Sequence, residues 1–406
     1  MTVCIACGST KVEPFLDLHE TTLANKFLAP EEIGAVEPRH PLVVGFCPEC
    51  SHVQLTHLVP PAAMFEDYLY ISSLSKTLVG HLHGLAATVI ERFKLGADDL
   101  FIDVGCNDGT LLSEAKRRGV RILGIDPAKN LAPLAKKNGV DTLVAFFGTE
   151  TAAKVVAEHG KASVVTATNV FPHIPVLDDL VKGLDVVLKP GGVFVAEAHY
   201  LGDLLDACAF DTVYHEHCSY WSLHAAQYMF QRHGFEVVDI QRLPIHHGQL
   251  RLFAMRKGEG QPTAAVATLL AEEVKRGMTG IECYRAFAKR VEAIREELHA
   301  AFAGFKAAGK TVVGYGAPAK GNTLLSYIGF GPEQLAYIAD KSPLKQGRVT
   351  PGTHIPVVGP ERLLADQPDY VLLLAWNFAD EILVEQAEYR ARGGKFILPV
   401  PEVKIV

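Results

Sequence analysis

Twice in this chain a short apolar run opens onto a glycine-rich turn and then into helical spacing, at "DLFIDVGCNDGTLL" (99–112) and at "KTVVGYGAPAKGNTLL" (310–325). A buried strand, a tight turn and a helix form the unit from which doubly wound parallel sheets are built. Each copy continues in kind. After the first come "VRILGID", "ASVVTATN" and "GGVFVAEA"; after the second come "LAYIADKSP", "DYVLLLAW" and "KFILPVP", strand-like runs set between helical ones. The fold class is therefore α/β. One Rossmann-like unit is expected over 76–260, a second over 309–406, and a long charged helical connector over 261–308. The likeness of the halves suggests internal duplication.

Ligands of such sheets sit beyond the carboxyl ends of the strands. In the first unit that edge carries Asp103, Gly105, Asn107 and Gly109, and Asp126 ends the next strand, where it can accept hydrogen bonds from ribose hydroxyls. Asn107 stands where a dinucleotide fingerprint has its second glycine, and a side chain there crowds a pyrophosphate. S-adenosylmethionine has no phosphate, so a methyl donor fits this turn better than NAD; a turn without any ligand is the plain alternative. In the second unit Gly314, Gly316 and Gly321 shape the turn, Lys320 lies within it, and Asp340, Lys345 and Arg348 follow. A nucleotide carried by the substrate suits that set, with a degenerate, non-binding unit as the alternative.

Ahead of both units, "CIACGS" and "CPECSH" supply Cys4, Cys7, Cys47 and Cys50. Gly8 and Ser51 follow the two pairs and let backbone amides turn toward the sulfurs. Two such turns face to face make a closed tetrahedral S4 set, the geometry of structural Zn2+, with no open position for chemistry. A zinc-binding module is expected over 1–75. The other cysteines are scattered, and eight in 406 residues are too few for a disulfide scaffold. A net charge of −7 argues against nucleic acid or an anionic membrane as partner. No apolar run reaches membrane-spanning length and the N-terminus lacks signal-peptide character, so a cytoplasmic protein is expected.

The stretch "DTVYHEHCSYW" (211–221) fits no core pattern. It follows the "GGVFVAEA" strand and precedes a helix for which Ser222 is the N-cap candidate, so it forms a loop at the ligand edge of the first sheet. Tyr214, His215, Glu216 and His217 lie there in a row, and His173 in "NVFPHIP" reaches the same edge. Carbon methylation needs a carbanion or enolate, hence a base that titrates near the operating pH, which histidine supplies. Zinc held by H-x-H and a merely solvated loop are the alternatives.

Taken in order, the two C-x-x-C pairs, "YLYISS", "CNDG", "HIP", "Tyr-x-Glu-His", "GYGA-x-AK" and the closing "LLLAWN…VPEV" resemble the sugar C-3 methyltransferases that act on nucleotide-linked 4-keto deoxysugars, over essentially the whole chain. The resemblance implies a zinc module, a middle S-adenosylmethionine domain and a C-terminal domain of similar topology. It implies a base that removes the C-3 proton alpha to the C-4 ketone before methyl transfer. By motif, His217 is the base; Tyr214, Glu216, His173 and Tyr68 line the pocket, and His215 falls at the variable position outside the chemistry. Asp103, Gly105, Asn107, Gly109, Asp126 and Asn169 are expected on the cofactor, and Lys320, Gly316 and Asn377 on the substrate. A monomer with a dTDP-linked keto-sugar as partner is expected; a binding or regulatory protein without turnover is the other class. Pro318 and Gly321 depart mildly from the family pattern.

Overall fold

The computed structural model describes residues 2–66, 68, 70–245 and 248–406; of the motifs above, Leu69 in "YLYISS" and His246–His247 in the hairpin-like "RLPIHHGQLRLFAMRK" lie outside them. Three sheets organise the chain. The first is antiparallel and joins Glu13–Thr21, His40–Phe46 and Val53–Leu55 to Ser219–Tyr220. That last strand belongs to the 211–221 stretch. Its pairing, Val53 with Tyr220 and Gln54 with Ser219, takes the end of a middle-unit loop into the N-terminal module.

The middle sheet has seven strands. In spatial order they are Phe235–Leu243, Gln249–Arg256, Leu188–His199, Ala162–Thr168, Leu100–Val104, Arg121–Ile125 and Thr142–Leu143. The last five are parallel, and Gln249–Arg256 runs antiparallel to both its neighbours. Leu100–Val104 is fully buried, as a strand covered on both faces must be. Its two neighbours leave it in opposite directions along the sheet, so the crevice at the topological switch point opens beside Asp103.

The third sheet places Val357–Val358, Ile338–Ala339, Val312–Tyr315, Tyr370–Leu373 and Lys395–Leu398 side by side and parallel, closed by antiparallel Lys404–Ile405. Its parallel part repeats the order of the middle sheet, third-second-first-fourth-fifth. Between the two sheets run helices Ala264–Lys275 and Ile281–Ala307. The longer helix buries Tyr284, Phe287, Val291, Ile294, Leu298, Phe302 and Phe305, a three-four spacing that aims one stripe at the core. Tyr284 packs against Phe15 and Phe46 with ring centroids 5.2 and 5.0 Å apart, so this helix binds the N-terminal sheet as well.

The helix that follows the 211–221 stretch, Leu223–Arg232, is capped twice. Ser222 accepts from the Ala225 amide. Fully buried Glu273, from the connector, accepts from the amides of Leu223 (2.7 Å) and His224 (3.0 Å) and from His224 Nδ1 (2.7 Å). These bonds tie up first-turn amides that have no intrahelical partner. Glu273→Ala is expected to lower stability by about 3 kcal/mol, the scale of hydrogen bonds to a buried charged group, read as a lower urea midpoint with an unchanged slope.

Candidate active site

The N-terminal cysteines converge. Cys4 and Cys50 sulfurs are 3.6 Å apart, as are those of Cys7 and Cys47, and all four lie within 4.8 Å of one another. A tetrahedron of ~2.3 Å Zn–S bonds has sulfur–sulfur edges of about 3.8 Å, so the set fits zinc. Both turns are built alike: Gly8 and Ser51 each take the left-handed conformation, φ 78° and 59°, and each returns its amide to the first cysteine's carbonyl. Ser51 takes up there a conformation that glycine adopts more freely.

At the switch point Gly105 has φ 71°, and a Cβ there would come within 2.2 Å of Val170; only glycine allows this approach. Asp126 accepts from the Asn107 and Ala128 amides, both at 2.8 Å, and burial raises its carboxyl above the usual range. Asp103 accepts from the Thr166 hydroxyl (2.6 Å), and burial pushes it up to about 7. Among the described residues neither acid is paired with a lysine or arginine. A crevice of unpaired acids rejects a pyrophosphate and suits a ligand with a cationic centre and hydroxyl donors, as S-adenosylmethionine has. The Asn107 side chain is spent on the chain itself: it accepts from the Ser72 amide and donates to the Tyr70 carbonyl, both at 3.0 Å. It thereby laces the segment after Tyr68 onto the cofactor turn. Asn169 ends the fourth strand at φ 57° and accepts from the Gln249 amide group.

The 211–221 loop brings three of its four polar residues inward. His217 Nδ1 lies 2.7 Å from the Thr212 carbonyl; a carbonyl only accepts, so Nδ1 carries the proton and Nε2 the free lone pair. Around it stand the rings of Tyr214 (4.1 Å), His173 (4.9 Å) and His199 (5.4 Å). Burial, with His173 beside it, brings His217 down to about 3, and burial with His199 brings His173 down to about 4. Both imidazoles are therefore neutral at pH 7. Burial and Glu216 push the Tyr214 phenol well up, so it remains an O–H donor. Glu216 accepts from Asn25 Nδ2 (2.6 Å) and from the Tyr68 hydroxyl (3.4 Å), and burial pushes its carboxyl up to about 7. His215 faces the other way, its Nε2 3.3 Å from the Pro41 carbonyl and its ring beside His40. It docks the loop on the N-terminal module.

The C-terminal unit meets this loop from the opposite side. Trp376 Nε1 donates to buried Asp211 (2.6 Å), and Lys320 Nζ lies 3.9 Å from the Trp376 ring centroid. Burial pulls the Lys320 ammonium down to about 8 against the pull of Asp211. Gly316, at φ 80°, lets the turn approach Ala375, where a Cβ would come within 2.5 Å. The buried acceptors Asn377 Oδ1 and Asn322 Oδ1 and the Thr323 hydroxyl have no partner among the described residues. Asp340 repeats the Asp126 arrangement, accepting from Ala317 (2.6 Å) and Ser342 (2.7 Å) amides. Here, however, Lys345 is drawn in beside it, with Nζ on the Ala317 carbonyl at 2.7 Å. Arg348 turns away to the Phe27 carbonyl.

Sequence reasoning missed Asn25 and His199. His199 ends the fifth strand of the middle sheet, where a polar residue at the ligand edge is a usable signal. Asn25 lies in an irregular segment remote in sequence, and no local pattern marks it.

Three family models match in order: a zinc binding domain over residues 4–65, a methyltransferase domain over 78–240 and a C-methyltransferase C-terminal domain over 244–401. The chain is 37% identical to C-methyltransferase NovU of Streptomyces niveus over 99% of its own length and 96% of that protein. The chain belongs to this C-methyltransferase family. A ubiquinone biosynthesis O-methyltransferase of Ralstonia nicotianae matches at 33% identity over 24% of this chain and 42% of that one. A solved structure of magnesium protoporphyrin IX methyltransferase from Synechocystis with bound SAH covers 47% of this chain and 90% of that one, at 14% identity and TM-score 0.35. By the three family models and its relation to NovU, the protein is an S-adenosylmethionine-dependent C-methyltransferase with a zinc-binding N-terminal domain. Among the described residues no helix is long and apolar enough to cross a membrane.

Asp126→Ala is expected to weaken cofactor binding by about 2 kcal/mol, the scale of hydrogen bonds to a charged group, with little change in fold. Titration calorimetry against S-adenosylmethionine reads this directly, and an unchanged dissociation constant would remove Asp126 from the site.

Proposed function

We propose that this C-methyltransferase acts at C-3 of a nucleotide-linked 4-keto deoxysugar, with dTDP as the nucleotide, through an enolate that His217 generates. The observation that carries the proposal is the fixed tautomer of His217. Its Nδ1 proton is held by the Thr212 carbonyl, and Nε2 is left as a neutral base among the half-buried rings of Tyr214, His173 and His199 at the ligand edge of the methyltransferase sheet. A methyltransferase acting on oxygen needs only to deprotonate a hydroxyl, whereas carbon alpha to a ketone is unreactive until its proton is withdrawn.

S-adenosylmethionine, when bound, supplies an electrophilic methyl group; Asp103, Gly105, Gly109, Asp126 and Asn169 would hold it, with Asn107 shaping the turn. His217 Nε2 takes the C-3 proton, the C–H electron pair moves into the C-3–C-4 bond, and the carbonyl pair moves to O-4. Tyr214, kept protonated, donates to that developing oxyanion. His173 orients the sugar ring, and Glu216 with Tyr68 fixes the opposite wall. After methyl transfer to C-3 the ketone re-forms, and His217 gives its proton to solvent. Burial brings His217 down to about 3, below the near-neutral base expected from the sequence, so it stays unprotonated across the neutral range, and the oxyanion developing on O-4 would favour its protonated form during transfer.

The diphosphate is assigned to the C-terminal turn, where Gly316, Lys320 and Asn377 stand. Support comes from the half-buried Lys320 ammonium at the start of helix Ala319–Ile328, since helix N-termini and cations favour anions. The working unit in this reading is a monomer. In this scheme 1–75 serves as zinc module, 76–260 as cofactor unit and 309–406 as nucleotide-sugar unit, joined by 261–308.

His217→Asn keeps a hydrogen-bonding side chain and removes the base, and about 10²- to 10⁴-fold loss of methyl transfer is expected. The sharper measurement is exchange of the sugar C-3 proton with deuterated water in the presence of S-adenosylhomocysteine. Wild type should exchange it and His217→Asn should not; exchange at the wild-type rate in the variant would assign the base elsewhere, with His173 next in line.

A further inference from the structure

We propose that Asn25, contributed by the N-terminal module, is a positioning residue of the methyl-transfer site that holds the Glu216 carboxylate in place opposite the Tyr68 hydroxyl. The geometry is direct. Asn25 Nδ2 donates to one Glu216 oxygen at 2.6 Å while Tyr68 donates to the other at 3.4 Å. Both of these partners are donors, and donors favour the ionised form of a carboxyl. Burial acts in the opposite sense. The shorter bond is the Asn25 bond, so this side chain is the main counterweight to desolvation.

Asn25 is not on a free-swinging loop. Its neighbours on both sides are tied to the C-terminal unit: Asn322 Nδ2 donates to the Ala24 carbonyl at 2.6 Å, and Arg348 donates to the Phe27 carbonyl at 3.2 Å. Leu28 and Val349 exchange two backbone hydrogen bonds, at 3.1 and 3.0 Å. A side chain carried on such a segment loses little freedom when it binds its partner. Asn25 is therefore where the N-terminal module, the reactive loop and the C-terminal unit meet, and Glu216 is the group they meet upon.

The proposal rests on Glu216 belonging to the reactive site, and it assigns the ionised form as the active one. Removing Asn25 removes a donor to the carboxylate, so the Glu216 pKa rises further and a larger fraction is protonated at neutral pH. Asn25→Asp, of the same shape, sets a second carboxyl against the first and raises it more strongly.

The first readout is substrate-free. Infrared titration of the protonated-carboxyl band, with Glu216→Gln as the blank, should place the Glu216 midpoint of Asn25→Ala about one unit above wild type, the scale of one hydrogen bond. Asn25→Asp should lie higher again. The second is the pH profile of kcat/KM for methyl transfer, whose acid limb should move up in step, the deficit being larger at pH 6 than at pH 9. Superimposable infrared titrations for wild type and both variants would overturn the proposal. A shifted carboxyl with an unshifted acid limb would also overturn it, by showing that the ionised form is not required. Failure of the sugar reading is distinguishable: wild type itself would then not exchange the C-3 proton, while the infrared titration would still report on Asn25.

Discussion

Two residue pairs, Val53 with Tyr220 and Gln54 with Ser219, decide where the reactive loop sits. A loop leaving the fifth strand of an open sheet has no partner of its own, and ordering one costs about 1–2 kcal/mol per residue in backbone entropy alone. The free edge of the N-terminal sheet absorbs that cost. The Leu55 amide also donates to the Cys218 carbonyl at 3.0 Å, one residue past His217. Trp221 then stacks on Phe171 at 4.2 Å, in the short helix that carries His173, and lies 4.6 Å from the ring of His52, just beyond the second cysteine pair. The second cysteine turn thus bears on the His173 helix through the packed rings of His52, Trp221 and Phe171, and on His217 through the backbone of Cys218. A closed four-thiolate site has no chemistry of its own to offer; its contribution is the shape of the edge on which the loop is laid.

The two nucleotide-type clefts differ in sign, and that difference follows the chemistry. In the middle unit Asp103 and Asp126 face the crevice without basic partners, a field that favours a sulfonium and its ammonium group. In the C-terminal unit the equivalent acid, Asp340, has Lys345 beside it, and half-buried Lys320 stands at the turn. The strand order is the same in both; what differs is that the C-terminal acid has a basic partner and the two acids of the middle unit have none among the described residues. A cationic methyl donor and an anionic sugar carrier would each find one cleft favourable and the other repulsive. The imidazoles of His217 and His173 are neutral because burial disfavours their charged forms.

Much of this was legible in the sequence because it is local. Strand, turn and helix follow one another within a few residues at Asp103–Gly109 and Gly314–Gly321, and the cysteine pairs announce themselves by spacing. The Tyr-x-Glu-His string marked the 211–221 loop, and the structure turns Tyr214, Glu216 and His217 inward and His215 away. What could not be read was every contact made across modules. Ser219–Tyr220 is too short to register as a strand, and its partner edge lies near the start of the chain. Asn25 sits among residues with no periodicity, so its role exists only once three units have packed. Asn107 was placed at the correct turn, yet its side chain serves the segment after Tyr68, which no pattern near residue 107 foretells.

If the zinc module shapes the reactive loop, backbone amide exchange should report it. The zinc-loaded protein and the same protein after chelation can be compared by deuterium uptake, peptide by peptide. Loss of zinc should abolish protection at Leu55 and across 214–221, while the buried strands Leu100–Val104 and Ala162–Thr168 keep theirs. Unchanged protection across 214–221 after the metal has left would contradict the account, and would make the module a neighbour of the site and not its support.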